Sequence, residues 1–444
     1  MKRSLPLVAI VGRPNVGKST FFNRVLGTRL AIVDSEPGVT RDRNFSLAEW
    51  AGRTFYIVDT GGVVEGSDEP LDRAIRQQAM AAVEEADLIV FVVDGKTGVH
   101  PLDERLAEVL RESGKPILLL VNKMDRLPDE LGHHDFWTLG LGEPRPVSAI
   151  SGRGSGDVLD AIVERLPPPA GEVPDDEEIR VAVVGKPNVG KSSLVNRLLG
   201  QDRVVVGDEP GTTRDAVDTH LEYEDRELVF VDTAGLRRQS RISEDLEYYS
   251  RLRTQRVIHA ADVCISVVDA MEGLAVQDLK VAQQAWEAGA GVILIINKWD
   301  LVQVDPKTAP EFEKALRDRA PFLRWVPIFF VSALTGKRVH KIMDAILEVD
   351  RQRNRRIQTS EVNEVLRELV ARQPPPHSQG RRVKLRYATQ VTTAPPTFLV
   401  FSNLPSEVPA HYLRYMENTF RDHWGFLGTP IRIRLKQSRE RRRA

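Results

Sequence analysis

Gly12-Arg13-Pro14-Asn15-Val16-Gly17-Lys18-Ser19-Thr20 and Gly185-Lys186-Pro187-Asn188-Val189-Gly190-Lys191-Ser192-Ser193 are one motif written twice. Seven of the nine positions agree, at an offset of 173. Each copy follows a short apolar run (residues 7–11 and 181–184) and precedes a helical pattern (residues 19–26 and 192–199). Gly-x-x-x-x-Gly-Lys-Ser between a strand and a helix is a phosphate-binding P-loop. Its glycines let backbone N–H groups close around phosphate, and the helix N-terminus favours an anion. Lys18 and Lys191 are expected to reach the β- and γ-phosphates of a nucleoside triphosphate, with Ser19 and Ser192 as ligands to Mg²⁺.

The duplication continues along the chain. Pro37-Gly38-Val39-Thr40-Arg41-Asp42 matches Pro210-Gly211-Thr212-Thr213-Arg214-Asp215, and Asp59-Thr60-Gly61-Gly62 matches Asp232-Thr233-Ala234-Gly235, both at 173. Asn122-Lys123-Met124-Asp125 matches Asn297-Lys298-Trp299-Asp300 at 175, and Ser148-Ala149 matches Ser332-Ala333 at 184. Further apolar runs at 55–58, 88–93 and 117–121 recur at 228–231, 263–268 and 292–296. Strands alternating with helices predict two α/β domains, each a mostly parallel sheet with helices on both faces.

The later motifs choose the base. Asn-Lys-x-Asp after a buried strand, with a following Ser-Ala, resembles the guanine-reading set of GTPases. A carboxylate at Asp125 or Asp300 can accept from guanine N1–H and its 2-amino group, which adenine does not offer in that arrangement. Lys123 and Lys298 can lie along the base. Asn122 and Asn297 can tie loops together, and the Ser-Ala segments can offer N–H groups to guanine O6. In such domains the Asp of Asp-x-x-Gly (Asp59, Asp232) holds Mg²⁺, and its Gly (Gly62, Gly235) senses the γ-phosphate. Thr40 and Thr213 stand where the switch threonine completes Mg²⁺ coordination; Thr212 competes with Thr213 for that role. Loss of the γ-phosphate would release both loops. The residue after Asp-x-x-Gly, often a water-orienting glutamine, is Val63 or Leu236, so catalysis needs another arrangement. Asn15 and Asn188 resemble the P-loop asparagine of GTPases that bind K⁺ beside the phosphates; otherwise they brace the loop.

The chain has 444 residues, room for about three domains. Its net charge of −1 conceals a net of −13 over residues 1–350 and +12 over 351–444. That asymmetry points to a polyanion for the basic end, or to docking of that end on the acidic body. A single cysteine, Cys264, excludes an intramolecular disulfide and suits a reducing compartment. No run approaches the ~18 apolar residues of a membrane span. The expectation is a cytoplasmic protein, with Cys264 in the core and His133-His134 in a solvated loop.

Residues 1–166 and 179–350 are read as the two GTPase domains. Residues 167–178, with four prolines and five acids, are read as an extended linker, and 351–444 as a third domain. That third domain reads α-β-β-α-β. It opens with a helix capped by Thr359-Ser360-Glu361, and strands follow at 383–392 and 397–402. A helix at 409–424 leads to a last strand at 431–435 that turns Arg432 and Arg434 outward. Order and charge resemble a KH-type RNA-binding domain. Gly425-Phe426-Leu427-Gly428 has the spacing of the backbone-clamping Gly-x-x-Gly loop but follows a helix instead of joining two. Lys384, Arg386, Arg432, Arg434 and the run 439–443 could bind phosphates.

Two full GTPase motif sets followed by a basic KH-like domain resemble the Der/EngA family of tandem-domain GTPases over essentially the whole chain. That resemblance implies GTP hydrolysis with GTP and GDP as ligands, Mg²⁺ and K⁺ dependence, and a monomer whose partner is the maturing large ribosomal subunit and its rRNA. A tRNA-modification GTPase would have one such domain and a C-terminal catalytic cysteine, and neither is found. A scaffold in which one copy binds GTP without turnover stays open.

Overall fold

The computed structural model describes the chain apart from residues 1–4, 28–44, 61–79, 81–82, 84–85, 126, 168–177, 201–204, 207–217, 234–246, 304, 306, 378–380 and 439–444. Thr40, Gly61, Gly62, Val63, Thr213, Ala234, Gly235 and Leu236 therefore lie outside the described residues, as do most of the acidic linker and the final arginine run.

The first copy forms a six-stranded sheet ordered β2-β3-β1-β4-β5-β6. Its strands are β1 (Leu7–Val11), β2 (Phe45–Trp50), β3 (Arg53–Asp59), β4 (Leu88–Asp94), β5 (Ile117–Asn122) and β6 (Arg145–Pro146). All pairings are parallel except β2 with β3. Every residue of β1 and β4 is buried. A parallel strand covered by helices on both faces has no solvent side, so its sequence runs apolar without alternation. Two hydrophobic clusters, one on each face, enclose the sheet. Helices α1 (Lys18–Gly27), α2 (Pro101–Glu112) and α3 (Ser155–Arg165) supply the covering layers.

The second copy repeats the plan as a seven-stranded sheet ordered β13-β12-β11-β7-β10-β9-β8. It comprises β7 (Glu178–Val184), β8 (Val205–Val206), β9 (Thr219–Tyr223), β10 (Arg226–Phe230), β11 (Val263–Asp269), β12 (Gly291–Asn297) and β13 (Ile328–Phe330). Its helices are α4 (Lys191–Leu199), α5 (Glu247–Ala260), α6 (Val276–Ala288), α7 (Thr308–Arg317) and α8 (Lys341–Arg353). Helix α8 carries Arg351 and Arg353 in its last turn, so the helix runs through residue 350. Cys264 is fully buried in β11, and burial pushes its thiol up to about 12. His133 and His134 lie in a 3₁₀ segment, Leu127–Leu139, with ring centroids 4.2 Å apart, and not in an open loop.

The basic end folds as α9 (Thr359–Arg372), β14 (Leu385–Thr392), β15 (Thr397–Ser402), α10 (Ala410–Trp424) and β16 (Arg432–Gln437), the expected α-β-β-α-β order. β14 pairs antiparallel and β16 parallel with the central β15. The capping of α9 differs from expectation. Gln358 is the N-cap residue and makes no side-chain cap bond. The Thr359 hydroxyl instead meets Thr389 at 3.2 Å, and Glu361 accepts from Trp424 Nε1 at 2.5 Å. Contacts to the sheet and to α10 have taken the groups that a local cap would use.

Candidate functional site

The P-loop joins β1 to α1 in the first copy and β7 to α4 in the second. Gly12 and Gly185 take φ of +154° and +146°, and a Cβ at either would stand 2.3 or 2.4 Å from the carbonyl oxygen of Val92 or Val267. Only glycine lets the loop pass the neighbouring strand so closely. Asn15 and Asn188 are exposed at φ +65° and +64°, a left-handed conformation that asparagine tolerates. Val16 and Val189, at the next positions, anchor the loop in the core, while Pro14 and Pro187 are at its rim.

Lys18 Nζ donates to the carbonyls of Gly12 (2.8 Å) and Arg13 (2.9 Å). Lys191 Nζ donates likewise to Gly185 (2.8 Å) and Lys186 (2.6 Å). Both side chains fold back over the loop and are buried there. Burial pulls both below the usual lysine value, Lys191 to about 8. An ammonium held in so dry a place gains most from an arriving phosphate. Ser19 and Thr20, like Ser192 and Ser193, open the helices that follow the loops.

Asn122 ties the phosphate loop to the base-reading loop. Its Nδ2 donates to Val16 O at 2.8 Å, and its Oδ1 accepts from Ala149 N at 3.0 Å. Asn297 does the same with Val189 O (2.8 Å) and Ala333 N (2.9 Å). All four bonds are buried, so losing one leaves a desolvated partner. Arg24 and Arg197, on the helices after the P-loops, donate to the Ala149 and Ala333 carbonyls at 2.9 and 3.3 Å. Ser148 and Ser332 are fully buried beneath them. Ser148 Oγ donates to Asp125 at 2.7 Å and accepts from Ser151 N; Ser332 Oγ accepts from Thr335 N.

Lys123 and Lys298 sit at φ +69° and +61°, uncommon for long side chains. Each is held by an ion pair that the sequence reading missed: Lys123 Nζ to Asp94 Oδ2 at 2.5 Å, and Lys298 Nζ to Asp269 Oδ2 at 2.6 Å. A second missed pair joins Arg13 to Asp103 at 3.3 Å and Lys186 to Asp278 at 3.2 Å. The offset of 175 that relates the two Asn-Lys-x-Asp motifs also relates Asp94 to Asp269 and Asp103 to Asp278, and would have found all four acids.

Asp59 ends β3 with its carboxylate buried, and Thr60 Oγ1 donates to Ile10 O at 2.9 Å. Asp232 is half-buried at φ +58° and its N–H donates to Asp218 Oδ1 at 2.8 Å; Thr233 Oγ1 meets Thr219 Oγ1 at 2.8 Å. The hydroxyl of Ser19 with the carboxylate of Asp59, and that of Ser192 with Asp232, are hard oxygen donors of the kind Mg²⁺ takes.

The family described as "50S ribosome-binding GTPase" matches this chain twice, over residues 7–123 and 180–298. The family described as "KH-domain-like of EngA bacterial GTPase enzymes, C-terminal" matches residues 356–436. A protein named GTPase Der from Gemmatimonas aurantiaca is 56 % identical over 437 residues, covering 98 % of this chain and 99 % of its own. GTPase Der from Moorella thermoacetica is 50 % identical over the same length, with coverage of 98 % and 99 %. The chain belongs to the GTPase Der family. As a Der-family member it is a tandem-domain GTPase that binds GTP and GDP. Among the described residues no helix is long and apolar enough to cross a membrane.

The Der-family KH-like domain packs against the second GTPase copy, in one compact unit with it. Contact is made by the segment with Gly-x-x-Gly spacing. Val292 N, at the start of β12, donates to Gly428 O at 2.6 Å, and Gly428 N donates to Trp325 O at 2.6 Å. Gly428 has φ +72°, and a Cβ there would stand 2.5 Å from Val349 Cγ2. Beside it Arg421 is fully buried, its guanidinium 5.0 Å from the Trp286 ring and 5.3 Å from Trp325. It donates to Phe426 O at 3.0 Å and pairs with Glu417 at 3.2 Å. Burial lowers this arginine to about 10. Arg432, expected to face outward, is half-buried and donates to Glu287 O at 3.0 Å; Arg434 is exposed as expected.

Proposed function

We propose that this chain hydrolyses GTP at two sites, residues 1–166 and 179–350, and uses the cycle in assembly of the large ribosomal subunit. The 351–444 domain would contact rRNA while the protein acts as a cytoplasmic monomer. The observation that carries the reading is the repetition of one braced loop set, Lys18–Asn122–Ala149 and Lys191–Asn297–Ala333, beside a basic KH-like domain. The description "50S ribosome-binding GTPase" supports the choice of partner.

In this reading the P-loop N–H groups and Lys18 or Lys191 bind the β- and γ-phosphates. They stabilise charge that develops as the γ-phosphoryl leaves. Asp125 and Asp300 accept from guanine, and Lys123 and Lys298 flank the base. Ser19, Thr40 and Asp59, and Ser192, Thr213 and Asp232, would hold Mg²⁺, which when bound neutralises charge on the phosphate oxygens. Asn15 and Asn188 would hold K⁺ through their side-chain amide oxygens, in a protein with Val63 and Leu236 where a glutamine could orient water. Thr60, Gly61 and Gly62, with Thr233, Ala234 and Gly235, would complete the γ-phosphate side. Sedimentation with purified large subunits tests the partner. A non-hydrolysable GTP analogue and GDP should give different bound fractions, and no cosedimentation with either would remove the assembly role.

A further inference from the structure

We propose that the outward face of the sheet β14-β15-β16 is a stacking platform for single-stranded RNA. The proposal rests on the ribosomal reading above and names the surface that meets the RNA.

The sheet has one face for its own core and one to spare. Ala388, Phe398, Val400, Ile433 and Leu435 face inward and pack with α9 and α10. On the other face the register sets Tyr387 opposite Phe401, and Phe401 beside Lys436. One step along, Thr389 is opposite Leu399, which lies beside Arg434. Tyr387 is 44 % exposed; Phe401 and Leu399 are half-buried and belong to no core cluster. The Tyr387 and Phe401 rings lie 5.8 Å apart at 49°. The domain's stability does not call for an aromatic pair on its solvent side.

Charge identifies the occupant. The three strands carry exposed Arg386, Arg434 and Lys436, besides Arg432 docked on the Glu287 carbonyl, and not one Asp or Glu, and exposed Lys384 precedes them. A partner that matches both features is a polyanion with flat apolar faces, which is a single strand with unstacked bases. A duplex offers phosphates but keeps its bases to itself. The alternative grip for a KH-type domain, a free Gly-x-x-Gly loop, is spent here on Val292 and Trp325.

Fluorescence anisotropy with the full chain tests this, using a labelled single-stranded RNA of mixed sequence and the same RNA annealed to its complement. Tyr387→Ala should weaken single-strand binding about tenfold and leave duplex binding nearly unchanged. Tyr387→Phe should restore it. Lys436→Gln should weaken both and lower the salt slope by about 1. GTP turnover without RNA should be the same in all of these variants. Three results would overturn the proposal: equal single-strand affinity in wild type and Tyr387→Ala, equal weakening for strand and duplex, or no binding of the strand by wild type. If wild type still sediments with large subunits in any of those cases, the platform falls and the ribosomal reading stands. If it binds neither, both fall.

Discussion

In the first GTPase copy Asp125 accepts from Ser148 at 2.7 Å and pairs with Lys96 at 2.7 Å; in the second, the position of Lys96 is Met271, 61 % exposed. Asp59 is 1 % exposed, whereas its counterpart Asp232 is half-buried in a left-handed conformation. Against these differences stand the Lys–carbonyl bonds, the Asn braces and the Lys–Asp pairs, which agree between the copies to within 0.3 Å. The duplicated domain has held the lysines and asparagines that would meet phosphate and brace the base loop, and has varied the surroundings of the carboxylates that would meet guanine and Mg²⁺.

The largest expected effect separates the sites outright. Lys18→Ala and Lys191→Ala should each cut GTP turnover at its own site by about 10²- to 10³-fold. Single-turnover measurements on each variant read the surviving site. Similar residual rates would sharpen the comparison, and a residual rate that vanishes in only one variant would break it. The same assay in K⁺ against Na⁺ should favour K⁺ at both sites, since Asn15 and Asn188 share one conformation. A smaller effect probes the brace. Gly17 and Gly190 have φ of +97° and +95°, and a Cβ at either would stand 2.3 Å from Nδ2 of Asn122 or Asn297. Alanine at either position should cost about 1–3 kcal/mol, read as a fall in thermal midpoint with weaker nucleotide binding at that site alone. Unequal falls would show slack in one loop. The smallest effect is on pH. Lys191 stands near 8, and phosphate favours its charged form, so nucleotide binding takes up a proton above that pH. Calorimetry on a Lys18→Ala chain should find second-site affinity steady below about pH 8 and falling as pH rises past it. A flat profile to about pH 10 would show that Lys191 stays charged without nucleotide.

Much of this was legible in the chain because the motifs are local and written twice. Gly12, Gly17 and Lys18 act within one turn of backbone, and Asn122 announces itself by its own motif. Asp94 and Asp269 were harder to see, because an acid ending an apolar strand is ordinary until the lysine across the loop is placed. The KH-like end was legible in its elements and not in its docking. Arg421 lies in a helix that reads as amphipathic, yet the side chain is fully buried because Trp286 and Trp325 come to it from more than 90 residues away in sequence. The Thr359-Ser360-Glu361 cap failed for the same reason: a distant strand and a tryptophan claimed its hydroxyl and its carboxylate.

The strand β12 has the Gly428 contact on its second residue and Asn297, the P-loop brace, as its last. The five steps of strand from Val292 to Asn297 span about 17 Å. One fully buried rod thus runs from the seat of the KH-like domain to the floor of the second phosphate cradle. Linkage then imposes a symmetry: whatever factor RNA on the KH-like domain applies to second-site nucleotide affinity, nucleotide must return to RNA affinity.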